Sequence, residues 1–77
     1  MTELDVRDVQ PTNRHPQIHE AFYALEPGES LTIINDHEPK PLFYEFQAEV
    51  EGFDESGYAV ERVNDAKYVA TFPKKSN

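Results

Sequence analysis

The chain has 77 residues and a formal charge of -8, with 15 acidic residues against seven basic ones, and that length supports one core and one domain. It contains no cysteine, which excludes disulfides, thiolate catalysis and cysteine-ligated zinc or iron–sulfur centres. An acidic surface of this kind repels phosphate backbones and anionic headgroups, so neither nucleic acid nor a membrane surface is expected as a partner.

Leu4-Asp5-Val6-Arg7 alternates apolar and polar residues and predicts a short first strand. Pro16 suits a first helical position, and Ile18, Ala21, Phe22 and Leu25 follow at i, i+3, i+4 and i+7, a helix that Pro27-Gly28 ends. Ser30 to Asn35 carries Leu31, Ile33 and Ile34 in a run too short for a helix and reads as the central strand. Pro39 and Pro41 fit a helical first turn, after which Leu42, Phe43, Phe46 and Val50 keep helical spacing as far as Gly52. Tyr58 to Val63 and Lys67 to Phe72 read as two strands joined by a tight Asn64-Asp65-Ala66 turn.

The predicted order is β-α-β-α-β-β, an α+β two-layer sandwich. If the first two strands are parallel neighbours, right-handed crossovers place both helices on one face of a four-stranded mixed sheet. Residues 1–77 then form a single domain with an ordered core over about 3–73, and the other sheet face stays at least partly open. No apolar run reaches the ~18 residues of a membrane span. Met1 to Arg7 is charged where a signal peptide needs an apolar core, so a cytoplasmic monomer is expected. The evenly spread acidity fits either the cytoplasm of a halophilic archaeon or an ordinary acidic domain whose charge serves solubility.

Parallel strands bring the loops that follow them to one sheet edge, beside two helix N-termini. Arg14, His15, Asp36 and His37 are therefore expected together as a ligand or metal edge. A divalent metal would use His15 and His37 as imidazole ligands with Asp36 or Glu38 as carboxylate, and His19 lies four residues from His15. An anion would use Arg14 and the helix N–H groups, against the opposing charge of Asp36 and Glu38. The bland alternative has Asn35, Asp36 and His37 capping the second helix, with His15 packed on a proline loop. Acid–base catalysis by the histidines needs substrate room that a domain this small does not advertise, so no enzyme and no catalytic residue is expected. Phe43, Tyr44 and Phe46 read as core with one half-buried phenol, Tyr58 and Tyr68 as cross-strand partners, and Glu49, Glu51, Asp54 and Glu55 as a solvated helix end and loop.

Leu4-Asp5-Val6-Arg7, Arg14-His15-Pro16, the stretch from Glu20-Ala21-Phe22 to Leu31, and Asn35-Asp36-His37 through Pro39, Pro41 and Leu42 together resemble an uncharacterised prokaryotic family of domains of unknown function (DUF2249) related to the TusA-like, or SirA-like, sulfur carriers. That resemblance implies the TusA-like sandwich, with His15-Pro16 in the place of the carriers' Cys-Pro motif. Without a thiol, persulfide relay is excluded and the position is left for ligand binding, metal binding or docking. Relatives fused to hemerythrin-like domains add a leaning towards a metal or redox-linked partnership. The function expected is a non-enzymatic binding or protein-interaction module that requires no cofactor; the alternative is a small metal-binding or redox-linked accessory protein using His15, His37 and Asp36.

Overall fold

The structure, a computed structural model, describes residues 2–76. Its elements are β1 (Thr2–Asp5), α1 (Pro11–Tyr23), β2 (Ser30–Asn35), α2 (Lys40–Glu49), a single 3₁₀ turn at Glu55–Gly57, β3 (Ala59–Asn64) and β4 (Lys67–Pro73). The four strands form one sheet in the order β1-β2-β4-β3, with β1 parallel to β2 and the two other pairings antiparallel. The expected α+β order and mixed sheet are therefore present.

Register divides the sheet into two faces. Leu31 lies opposite Phe72 and Ile33 opposite Ala70 and Leu4, so these side chains share the face that meets the helices. From the helix side come Ile18 and Phe22 of α1 and Leu42 and Phe46 of α2, all buried. The Phe46 ring sits 5.1 Å from Phe22, edge to face, and 4.9 Å from Phe72, so one aromatic side chain ties both helices to the sheet. Phe53 joins this cluster at 5.4 Å from Phe46. Burying a ring of this kind contributes roughly 1.5–3 kcal/mol each. Thr32, Ile34, Val69 and Thr71 lie on the other face.

The largest departure from the sequence reading is the start of α1. The helix opens at Pro11, and Pro16 lies inside it rather than at its first position. Both prolines suit the beginning of a helix, but only Pro11 stands where its missing N–H has no intrahelical partner to lose. Pro16 forfeits one bond, to the carbonyl of Thr12, and both residues are on the exposed side, where water can serve that carbonyl. Arg14 and His15 are accordingly helical residues and not loop residues. The C-terminal end also comes earlier than Leu25, with Ala24 and Leu25 donating to Glu20 and Phe22 in a tightened last turn.

Smaller differences follow the same logic. β1 covers Thr2–Asp5, two residues ahead of the predicted strand, although the Val6 N–H still reaches Ile34 at 2.9 Å. α2 ends at Glu49, before Gly52. Gly28 takes a φ of +86°, the left-handed conformation that turns the chain from α1 into β2. Tyr44 is exposed, so the half-buried phenol belongs elsewhere. It is Tyr58, which stacks on Phe43 at 4.2 Å instead of lying within a hairpin strand.

The Tyr58 hydroxyl is buried without a hydrogen-bond partner among the described residues, and burial first, with Glu38 nearby, pushes its pKa up to about 12. An unpaired buried hydroxyl costs about 1–3 kcal/mol of desolvation that a phenyl ring avoids. Tyr58→Phe should therefore raise stability by about 1 kcal/mol in urea denaturation; a loss of that size would show that the hydroxyl has a partner.

Candidate functional site

β1 and β2 run parallel, and the segments that follow them lead into α1 and α2 at the same sheet edge. Arg14 stands at the centre of that edge. Its side chain is nearly buried, and all of its donor nitrogens are engaged. Nε donates to the Val9 carbonyl at 2.9 Å and Nη2 to the Arg7 carbonyl at 3.1 Å, both in the connection after β1. Nη1 donates to Asn35 Oδ1 at 3.0 Å and Asp36 Oδ1 at 3.1 Å, at the end of β2, and Nη2 completes a fork on Asp36 Oδ2 at 3.4 Å. Only a planar five-donor guanidinium can satisfy four separate acceptors in this way.

The arrangement revises the roles expected from sequence. Neither helix has a side-chain cap, so Asn35 and Asp36 do not cap α2; they hold Arg14 instead. Arg14 in turn has no donor left for an anion. Asp36 Oδ1 also accepts from His37 Nδ1 at 2.7 Å. Hydrogen bonds from Arg14, and next from His37, keep the Asp36 carboxyl below its ordinary pKa.

His15 faces α2 rather than a proline loop. Its Nδ1 donates to Glu45 Oε2 at 3.1 Å, and His19 Nε2, one turn on, donates to Oε1 of the same carboxylate at 2.7 Å. A carboxylate only accepts, which assigns the proton to those two ring nitrogens. Burial raises the Glu45 pKa, but the His19 and then the His15 hydrogen bonds outweigh it, and the net displacement is downward. The His19 ring also packs against Phe46 in a tilted arrangement, with centroids 4.6 Å apart. Glu45 went unnoticed in the sequence because its place in the Leu42–Phe46 turn marks it only as polar; its importance comes from facing two histidines of another helix.

Between the first turns of α1 and α2 the edge opens into a cleft of about 150 Å³, lined by Pro11, Arg14, His15, Ile18, Asn35, His37, Pro39, Pro41 and Leu42. Arg14, His15 and His37 thus line one cleft, while Asp36 stands behind His37 and outside the lining. His15 and His37 each spend Nδ1 on a carboxylate, and Nε2 of both is uncommitted among the described residues. Among the described residues no group of three or more His, Asp or Glu side chains is placed to hold a metal ion, so His15, His37 and Asp36 do not assemble as a three-ligand centre.

The family model described as "Uncharacterized conserved protein (DUF2249)" matches residues 3–74. The chain belongs to this family. No curated protein and no solved structure matches it. Among the described residues no helix is long and apolar enough to cross a membrane.

Two outcomes test this geometry. Arg14→Lys keeps the charge but loses the fork, and should lower stability by about 2 kcal/mol; unchanged urea midpoints would remove Arg14 from its central place. Asp36 and Glu45 have folded-state pKa values below their ordinary ones, so their stabilisation is complete above the unfolded values and disappears as pH falls through the folded ones. The melting temperature of the wild type should drop on acidification below about pH 5, and Asp36→Asn with Glu45→Gln should flatten that drop.

Proposed function

We propose that this DUF2249 domain is a non-enzymatic binding module whose recognition site is the cleft between the first turns of α1 and α2. The supporting observation is the cleft's composition: an apolar floor of Ile18, Leu42 and three prolines, with two imidazoles and one amide as its polar groups beside the fully engaged Arg14. That balance of many apolar contacts and few directed polar ones is what small-ligand sites use. A space of about 150 Å³ takes a group of roughly the size of a benzene ring, so the occupant is a small molecule or one side chain of a partner. In this reading the protein works in the cytoplasm as a monomer.

Kinship with the TusA-like carriers belongs to the same reading. The shared element order supports it, and the absence of cysteine means that the kinship would carry over the position of the site and not persulfide relay. A divalent metal is the second reading, favoured by the carboxylates behind His15 and His37, an arrangement common around metal-ligating imidazoles. It would need ligands from outside the chain.

Phenol, a neutral ring of the right size, is the first probe. Followed by NMR, it should shift the Ile18 and Leu42 methyl signals saturably, with a dissociation constant of about 1 mM for so few atoms. Methyls silent both to phenol and to a small apolar anion across that range would remove the cleft as a binding site. Coupled shifts of His15 and His37 on adding Zn²⁺, with none from phenol, would establish the metal reading in its place.

A further inference from the structure

Three features of the cleft bear on the chemical class of its occupant. First, no aspartate or glutamate lines it, although the chain carries 15 of them. Its ionisable lining is Arg14, His15 and His37, all neutral or cationic. The carboxylates adjoining the lining face other groups, with Asp36 turned to Arg14 and His37, Glu45 to His15 and His19, and Glu38 to Lys40.

Second, Asn35 is only 5% exposed, lines the cleft, and has one half of its amide unused. Arg14 can only donate, so the amide oxygen must be the atom that faces it. Nδ2 is thereby left as a donor, and among the described residues nothing accepts from it. This N–H is not sealed from solvent; it opens onto the cleft, where a ligand oxygen can accept from it. Third, the lining comes from the first turns of two helices that carry no acidic residue there, so both bring partial positive charge to the same space.

Resting on the cleft as the binding site, we infer that its occupant is a small monocarboxylate with a short apolar tail. The carboxylate accepts from Asn35 Nδ2 and lies towards the His15 and His37 rings. The tail lies on Ile18, Leu42 and the prolines. A free acid and the C-terminal carboxylate of a partner chain share this chemistry.

The test compares butyrate with butyramide, which has nearly the same shape and no charge, by NMR titration of the wild-type protein. Butyrate should bind at least tenfold tighter and should shift the Asn35 side-chain amide signals. Equal binding of the two would overturn the inference, whatever any variant does. Asn35→Asp keeps an oxygen for Arg14 while replacing the free donor with a repelling acceptor; it should melt at or above the wild-type temperature and lose butyrate at least tenfold. Retained butyrate affinity in that variant would also overturn the inference. If phenol binds and butyrate does not, the carboxylate assignment falls and the cleft remains a site; if neither binds, both fall. Acetyl-Gly-Val run beside its C-terminal amide separates the two sources, with a free-acid peptide tenfold tighter than butyrate pointing to a chain terminus and a weaker one to a free acid.

Discussion

The Arg14 guanidinium holds together what the sheet alone cannot. β1 and β2 are parallel, and their following segments must turn away into separate helices, leaving backbone carbonyls and polar side chains that no strand or helix satisfies. Arg14 reaches two of those carbonyls, at Arg7 and Val9, and two side chains at the end of β2, those of Asn35 and Asp36. Being on α1, it also fixes that helix against both segments. The cleft exists because this one side chain keeps the two turns at a set distance.

From that anchor the polar groups form a sequence of dependence. Asp36 is oriented by Arg14 and in turn orients His37, while Glu45 aligns His15 and His19 from α2. Two imidazoles at the cleft are therefore fixed in ring orientation by carboxylates set behind them. The remaining acidity is spread over the surface. Between the two lie the rings of Phe22, Phe46, Phe53 and Phe72, which pack both helices on the sheet.

Much of this was legible in the residues. Periodicity located both helices and all four strands, and the parallel first pair, taken as a condition and present in the sheet, put both helices on one face through crossover handedness. What failed was local or relational. Pro11 and Pro16 are equally good helix openers in isolation, and choosing between them required knowing that Arg14 must stand on a helix to reach both segments. Asn35 and Asp36 have the composition of helix caps, yet a guanidinium on another element competes for the same oxygens and wins by charge. The bridging place of Glu45 depends on how α1 and α2 face each other, which no spacing within one helix encodes.

The strand order has a consequence for how the molecule comes into being. β4 is last in the chain but sits inside the sheet, between β2 and β3. Beyond it, Lys74 reaches back to α1, donating from Nζ to the Leu25 carbonyl at 2.8 Å, while the Gly28 N–H donates to the Lys74 carbonyl. A ribosome delivering this chain therefore releases two helices, a parallel strand pair and β3 with the inner edge of β2 still bare. The core rings of Phe22 and Phe46 lack Phe72 to pack against until that last strand is clear. Closing the sheet then depends on contacts distant in sequence, the kind that slows folding.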